Sequence, residues 1–252
     1  MPIDIGMPFQ LGPGAIVFLA VVIFASAFIR GYSGFGFSAL VVSGSALITN
    51  PLYMVPVVMM LEIAATIGQA RSTWRDVDRR MLLLMVAGAL VTMPLSVSIL
   101  SRLDIDTIRL VFSTFILAMS IALFAGWSLK KRVGAAGMFG AGLTSGIANA
   151  AAVGGLPIAL FLAAQSIPAR IFRATIMFYL CAIDLFALPM MAMAGIAGTE
   201  SIIAAALSLP ILFAGLWLGS RRFLHAEPSD FRRMTIILLA VMAVLGLIKS
   251  LV

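Results

Sequence analysis

Apolar stretches of helical length alternate with short polar loops along the whole chain. They lie at residues 14–30, 33–48, 51–70, 81–100, 108–127, 135–147, 150–163, 170–194, 202–220 and 232–250. An α-helix needs roughly 20 apolar residues to cross a hydrocarbon core of about 30 Å, and several stretches are close to that length. Backbone in lipid must satisfy its own hydrogen bonds, and the stretches lack the alternation of barrel strands. The pattern predicts an all-α integral membrane protein.

Two pairs of these segments are interrupted by stretches unlike the rest of the chain. The first pair, 14–48, is broken at IRGYSGFGFSAL (residues 29–40), which contains an arginine, three glycines, a tyrosine and two serines. The second pair, 135–163, is broken by small and polar residues. Glycine permits left-handed backbone angles and a close approach of the main chain. We expect each pair to be a hairpin of broken helices, re-entrant or fully spanning, beside six ordinary spans.

The composition supports a membrane protein and argues against a nucleic-acid partner. Hydrophobic residues make up 62% of the 252 residues, charged residues make up 11%, and the mean hydropathy is +1.15. Soluble domains contain about 45–50% apolar and about 25% charged residues. The net charge of +7 is spread over short clusters between apolar segments and does not form one basic patch.

The positions of lysine and arginine predict which loops lie in the cytoplasm, because cytoplasmic loops carry an excess of both residues. Thirteen of the 17 basic residues lie inside if the loop at 71–80 is cytoplasmic and the later loops alternate accordingly. They are Arg71, Arg75, Arg79, Arg80, Lys130, Lys131, Arg132, Arg170, Arg173, Arg221, Arg222, Arg232 and Arg233. Under this topology the first broken pair begins and ends outside, whereas the second begins and ends inside.

This opposite orientation predicts an inverted-topology repeat. Each half would consist of one broken or re-entrant helix hairpin plus three transmembrane helices. The halves also share weak sequence similarity, since SGFGFSAL (33–40) aligns with VGGLPIAL (153–160). We therefore expect a multi-pass protein of a bacterial-type plasma (inner) membrane. Its predicted parts are a short outside N-terminus at 1–13, a first inverted repeat at 14–127, a basic cytoplasmic linker at 128–134 and a second inverted repeat at 135–252.

The glycines at the two breaks are candidates for an anion site. In inverted-repeat transporters, substrates bind near the middle of the membrane where broken helices meet, and exposed helix N-termini present N–H groups to anions. The alternative is that the glycines only allow helices to pack closely. The candidate substrate-binding residues are Arg30, Ser33, Gly34, Gly36, Asn149, Gly154 and Gly155, with Gly31 and Gly146 at the same two breaks.

Arg30, Glu62 and Asp184 are charged residues in the interior of the membrane region. A charge near the bilayer centre costs roughly 2.5 kcal/mol or more, so each should be paired, hydrated or functional. Arg30 would offer an oxyanion a fixed positive charge and a planar fork of donors. Alternatively it forms an ion pair with Glu62 or Asp184, or extends toward the outer face. Glu62 and Asp184 are candidates for proton coupling, or else cap a neighbouring helix or balance Arg30.

The sequence lacks the motifs of several enzyme classes. It contains neither G-x-x-x-x-G-K-[ST] nor H-E-x-x-H. His225 is the single histidine and Cys181 the single cysteine, so we expect neither a His-based metal centre nor a disulfide within one chain. We expect no catalytic residues, no metal, no cofactor and no enzymatic activity.

Two stretches resemble the TauE/SafE family, membrane permeases associated with the export of sulfite and organosulfur anions. They are GYSGFGFSALVVSGSALITNP (31–51) and GLTSGIANAAAVGGLPIALFLAAQSIPARIFRATIMF (142–178). In the second stretch, Gly154, Gly155 and Pro157, together with Arg173, stand at positions familiar from that family. The resemblance covers nearly the whole chain and implies a permease built from two related halves.

The resemblance and the candidate site together favour a secondary transporter, expected to be an exporter, of a small sulfur-containing oxyanion such as sulfite or an organosulfonate. The expected partners are this small anion and the lipid bilayer. Proton co- or counter-transport and a homodimer are left open. The alternatives are a passive anion channel with the same site, a transporter of a small carboxylate and, from another class, a membrane-embedded enzyme or assembly factor.

Overall fold

Nine α-helices make up the described part of the chain. The computed structural model describes residues 9, 11–100, 105–125, 133–149, 154–163, 165, 167–223, 237, 240, 241 and 244. The helices are α1 (Pro13–Ser33), α2 (Phe37–Ser45), α3 (Pro51–Thr73), α4 (Arg79–Leu100), α5 (Ile105–Phe124), α6 (Ala135–Asn149), α7 (Gly155–Ala163), α8 (Ala169–Met193) and α9 (Thr199–Phe223). No strand occurs among these residues, so the all-α prediction is confirmed for them. The last predicted segment, 232–250, lies outside the described residues except at four positions.

Among the described residues, four helical stretches are long and apolar enough to cross a membrane. They are Pro13–Ser33, Pro51–Asp76, Ala169–Met193 and Thr199–Arg222, with mean hydropathies between 1.6 and 2.2. At 1.5 Å per residue, their 21 to 26 residues extend about 31–39 Å, which is at least the thickness of a hydrocarbon core. Large apolar side chains such as Val17 and Ile67 are mostly exposed on them, where lipid would cover them. The protein is therefore an integral membrane protein.

Proline and asparagine set where α3 begins. Pro51 is its first residue, and the side chain of Asn50 caps the helix by accepting a hydrogen bond from the Leu52 N–H at 3.0 Å. Proline suits this position because the first helical N–H groups have no partner within the helix, and asparagine is among the best N-cap residues. The predicted start of this span at residue 51 is confirmed.

The chain leaves α1 and enters α2 through two glycines in the left-handed region. Gly34 has a φ of 87° and Gly36 a φ of 88°, angles that glycine adopts without the clash a Cβ would cause. The prediction that the first apolar helix ends at residue 30 was short by one turn. Gly31 stays helical, and Gly34 is the first residue to depart. Arg30 consequently lies in the last turn of α1.

A second interruption separates α6, which ends at Asn149, from α7, which begins at Gly155. Residues 150–153 lie outside the described residues. Both α2 and α7 have nine residues, which extend only about 13 Å and cannot cross a membrane. Every residue of α2 is buried. The backbone ends of this short helix are therefore enclosed by protein rather than by lipid, which is the setting in which broken helices are tolerated.

The helices pack most extensively as two pairs, α1 with α9 and α4 with α6. Glycines bring both pairs close together. A Cβ added to Gly31 would lie 2.5 Å from the Leu216 carbonyl oxygen of α9, and one added to Gly146 would meet the Ala89 backbone of α4. Gly31 and Gly146 therefore lie in close helix–helix contacts. Between the pairs, α3 contacts α8 and α9, and α8 contacts α3 and α4.

Candidate functional site

Arg30 forms the centre of a buried polar cluster at the end of α1. Its side chain is 0% exposed. Nη1 donates to Glu62 Oε2 at 2.8 Å, and Nη2 donates to Thr66 Oγ1 at 2.7 Å. The two nitrogens also donate to the carbonyl oxygens of Gly34 at 3.3 Å and Glu62 at 3.2 Å. Of the alternatives predicted for Arg30, the structure contains the ion pair with Glu62, and it also brings the guanidinium against the α1–α2 break.

The Glu62 carboxylate lies at the N-terminal end of α2. Its side chain is 1% exposed, and Oε2 accepts the hydrogen bond from Arg30. Ser38, in the first turn of α2, lies next to this carboxylate. The other oxygen, Oε1, has no hydrogen-bond partner among the described residues. The first N–H groups of a helix lack acceptors within the helix, and the helix dipole favours negative charge there. Glu62 thus supplies a negative charge between a guanidinium and a helix N-terminus.

Ser33 stabilises the turn between α1 and α2 through local hydrogen bonds. Its Oγ lies 2.9 Å from the Ile29 carbonyl oxygen and 2.8 Å from that of Phe35, and it accepts a hydrogen bond from the Phe35 N–H at 3.1 Å. The Gly34 N–H donates back to the Arg30 carbonyl at 2.7 Å. These bonds hold the turn in one conformation, so the start of α2 keeps a fixed position relative to the Arg30 guanidinium.

A second buried polar cluster surrounds the end of α6. Asn149 Nδ2 donates to Asp184 Oδ1 on α8 at 3.1 Å, and Ser145 Oγ donates to the Gly154 carbonyl at 2.7 Å. A Cβ on Gly154 would lie 2.8 Å from Asn149 Oδ1, so only glycine fits beside this amide. Gly155, at the start of α7, packs against Leu180 instead of a polar group.

The two clusters are neighbours. Glu62 on α3 and Asp184 on α8 are close enough for their charges to interact, and Cys181 is close enough to interact electrostatically with both. The short helices α2 and α7 contact each other as well. The predicted site residues therefore form two adjacent groups. The first contains Arg30, Ser33, Gly34, Gly36 and Glu62, and the second contains Asn149, Gly154, Gly155 and Asp184.

Several residues of these clusters were not predicted. Thr66 binds Arg30, and its position four residues after Glu62 places both on one helix face, which is a signal the sequence did contain. Tyr179 is fully buried near Ser145 and Asp184. Nothing in the sequence pattern distinguished it from the other large side chains of its span.

Arg173 was counted with the cytoplasmic arginines, yet in the structure it reaches the α1–α2 break. Its side chain is only partly exposed, and Nη2 donates to the Gly31 carbonyl at 2.6 Å. Its Cγ lies 2.8 Å from where a Gly34 Cβ would be. The long side chain lets Arg173 start near the beginning of α8 and still reach a carbonyl at the end of α1.

No group of three or more His, Cys, Asp or Glu side chains able to hold a metal ion occurs in the parts of the chain that the structure covers. The chemistry available at the two clusters is ionic and hydrogen-bonding. Together they offer buried guanidinium, carboxyl, hydroxyl and amide groups.

The comparisons with known proteins give one result. A family model described as sulfite exporter TauE/SafE matches residues 18–245, a range that includes both breaks and both polar clusters. Searches of curated proteins and of solved structures find no match. Since the match extends over far more than half of the chain, this protein belongs to the sulfite exporter TauE/SafE family.

Proposed function

We propose that this membrane protein is a secondary transporter that exports a small sulfur-containing oxyanion, such as sulfite or an organosulfonate. Membership of the TauE/SafE family makes the protein a membrane permease of the sulfite-exporter type and not an enzyme. The two buried clusters at the helix breaks are the proposed binding site. The residues proposed to surround the anion are Arg30, Ser33, Gly34, Gly36, Asn149, Gly154 and Gly155.

The burial of Arg30 beside a helix N-terminus carries this proposal. Keeping a guanidinium inside the membrane region costs roughly 2.5–3.5 kcal/mol or more unless it is compensated. Here the positive charge lies at a fixed distance from the start of α2, where Gly36, Phe37 and Ser38 contribute N–H groups without acceptors inside the helix. A guanidinium fork and a row of amides are the two groups that proteins use most often for oxyanions.

We also propose that the two halves of the chain form an inverted repeat. Helix packing supports it, because exchanging the halves maps one close pair onto the other: α1 packs on α9 as α6 packs on α4. The same exchange maps the contact of α3 with α9 onto that of α8 with α4. In such transporters one half rocks against the other around a fixed site, which gives alternating access.

A cavity that reaches Ser220, next to the end of α1, supports access from one end of the bundle. It has a volume of about 450 Å³ and lies between α3 and α9, with Gln69, Ser220 and Arg221 among its polar lining residues. Ser220 Oγ lies 3.2 Å from the Gly31 carbonyl oxygen, and Gln69 Nε2 donates to this hydroxyl at 2.7 Å. Under the predicted topology this end faces the cytoplasm, the side from which an exporter takes its substrate.

A small carboxylate is the second candidate substrate, and one observation favours it. The Glu62 side chain already places a carboxylate between Arg30 and α2. The site therefore accepts a carboxylate geometrically, whereas a sulfite or sulfonate group would present one more oxygen to the amides.

A thermal-shift screen of purified protein separates these substrates. The set is sulfite, sulfate, thiosulfate, sulfoacetate, taurine, acetate and succinate. A ligand that binds only the folded state stabilises it by about 2.7 kcal/mol at 100 times its Kd, so a bound anion raises the melting temperature. We expect a rise with sulfite or a sulfonate and a smaller rise with acetate.

The matched control is the double variant Arg30→Gln, Glu62→Gln, which removes both charges while it keeps polar side chains of similar size. It should melt near the wild-type temperature and show no shift with any anion. An unchanged melting temperature of the wild type with every anion of the set, or an equal shift in the double variant, would contradict the proposed site.

A further inference from the structure

Glu62 occupies the position that a bound anion would take. Its carboxylate lies 2.8 Å from Arg30 Nη1 and next to Ser38 at the start of α2. An oxyanion that enters the site meets the same guanidinium and the same helix end. The side chain and the anion therefore compete for one set of donors.

Hydrogen bonding in this pair is incomplete. Arg30 Nε and Glu62 Oε1 are both buried and have no hydrogen-bond partner within the described residues. A buried donor or acceptor left unsatisfied is destabilising, and more so when the group is charged. A ligand with several oxygens could satisfy Nε as well as Nη1 and the α2 amides, whereas the Glu62 carboxylate leaves Nε without a partner.

We propose that Glu62 is a tethered competitor of the transported anion, and that the anion binds Arg30 when Glu62 takes up one proton. This inference rests on the proposed function and adds the coupling ion and its stoichiometry. The proton neutralises the carboxylate, its ion pair with Arg30 is lost, and the anion replaces it. Release of the anion on the other side reverses these steps. One proton and one anion thus move together in the same direction.

The charge balance at the site favours this order of events. If the anion bound while Glu62 stayed ionised, two negative charges would share one guanidinium in a buried setting, which is strongly unfavourable. With the proton on Glu62, a bound monoanion leaves the net charge of the site unchanged. Transport of a monoanion would then respond to a pH gradient and not to the membrane potential.

Among the described residues, the titratable groups whose charges interact with that of Glu62 are Arg30 of α1 and Cys181 and Asp184 of α8. Helix α2 has no titratable side chain, and α9 carries its charged residues only at its two ends. Asp184 accepts its hydrogen bond from Asn149, whereas Glu62 is bound to Arg30 itself. Both acids share a partner with the proposed substrate, but only Glu62 shares the cationic one, Arg30.

Proton uptake on anion binding tests the proposal. Purified wild-type protein in detergent is titrated calorimetrically with methanesulfonate and with sulfate, whose charges do not change near neutral pH, in buffers of different ionisation enthalpy. We expect about one proton taken up per anion bound. Where Glu62 is ionised in the unliganded protein, the affinity should fall about tenfold per unit rise in pH, as linkage to a single proton requires.

Two isosteric variants assign that proton. Glu62→Gln should bind both anions with an affinity that does not depend on pH and without proton uptake. Asp184→Asn tests the neighbouring carboxylate as the rival proton acceptor, and each anion that this variant binds should still be accompanied by about one proton.

Each result has one consequence. Binding by wild type with no proton uptake, or proton uptake that persists in Glu62→Gln and disappears in Asp184→Asn, overturns the competitor role and leaves the transport proposal standing. Absence of binding of either anion by wild type overturns both. The proton count of the wild type decides the matter even if Glu62→Gln does not fold.

Discussion

The guanidinium of Arg30 and the carboxylate of Glu62 depend on each other inside the protein. Both side chains are almost completely inaccessible, at 0% and 1% exposure. Two buried charges compensate each other well only when both are present, and removal of one leaves the other buried without its counter-charge. A ligand of this site must therefore displace an existing partner of Arg30.

This mutual dependence predicts unequal effects of single and double substitution. Arg30→Gln alone should lower the free energy of unfolding by about 3–5 kcal/mol, because Glu62 loses its counter-charge. The double variant Arg30→Gln, Glu62→Gln should regain most of that loss. Denaturant titration in detergent measures both. Equal stability of the single variant and the wild type would show that the pair is not a buried ion pair in the membrane protein.

The left-handed turn at Gly34 predicts a second residue-scale effect. Gly34→Ala should lower the free energy of unfolding by more than about 1–2 kcal/mol, the cost of a left-handed conformation for a residue with a Cβ. The new Cβ would also lie only 2.8 Å from Arg173 Cγ and 3.0 Å from the Arg173 carbonyl oxygen.

Gly140→Ala is the control for this substitution. Gly140 lies in the middle of α6 with nothing within 4 Å of an added Cβ, so the melting temperature should be unchanged or slightly higher. Similar melting temperatures of the two variants would argue against the α1–α2 turn as described.

At the scale of single residues, the sequence could identify the unusual groups but not their partners. Arg30, Glu62 and Asp184 are conspicuous as charges among apolar neighbours. Whether Glu62 or Asp184 pairs with Arg30 depends on the rotation of α1 relative to α3. A shift of Arg30 by one helical turn would change its partner. The close contacts of α1 with α9 set that rotation, and contacts between residues almost 190 positions apart leave no periodic signal.

At the scale of helices, glycines determine how closely two long spans approach. Gly219 on α9 lies against the Phe28 backbone of α1, and Gly142 on α6 lies against the Met85 backbone of α4. In a membrane there is little hydrophobic drive between helices, so close packing through small residues is a main source of association. The two glycines therefore make contacts of the same kind, each in one of the two closest pairs.

This similarity predicts matched effects of substitution. Gly219→Ala and Gly142→Ala should each lower the free energy of unfolding by about 1–3 kcal/mol, because the backbone opposite cannot move aside as a side chain would. Gly14→Ala is the control, since a Cβ there meets nothing within 4 Å. Denaturant titration of the three variants compares them. If all three variants are equally stable, the helix pairs do not depend on these contacts.

The helices themselves were largely predictable, and the exceptions have a physical reason. The described helices lie within a few residues of their predicted segments, because long apolar runs bounded by Pro51 or by charged residues leave few alternative positions for the helix ends. The end of α1 was placed one turn early because Gly31 was grouped with Gly34 and Gly36 at the break. Helical Gly31 and left-handed Gly34 are the same letter in the sequence, and only packing against α9 distinguishes them.

At the scale of the whole molecule, the distribution of arginine and lysine predicts sidedness. The turn between α3 and α4 contains Arg75, and the loop between α8 and α9 contains Gly198 and lacks basic residues. The positive-inside rule places the first in the cytoplasm and the second outside. This orientation underlies both the proposed inverted repeat and the proposed access route.

Cysteine labelling tests the sidedness. In a Cys181→Ala background, the Arg75→Cys variant should react with a membrane-impermeant maleimide in inside-out vesicles and not in right-side-out vesicles. The Gly198→Cys variant should do the opposite, and both positions are exposed. Labelling of both variants from the same side would contradict the predicted topology.

Sulfite transport by purified protein in liposomes shows whether Arg30 holds a transported anion. Radiolabelled sulfite uptake is measured under anaerobic conditions with an imposed pH gradient, for wild type and for the double variant Arg30→Gln, Glu62→Gln. We expect wild type to concentrate sulfite transiently above its external level, whereas the double variant should stay at the level of protein-free liposomes. Sulfite uptake by the double variant at the wild-type rate would show that Arg30 does not hold the transported anion.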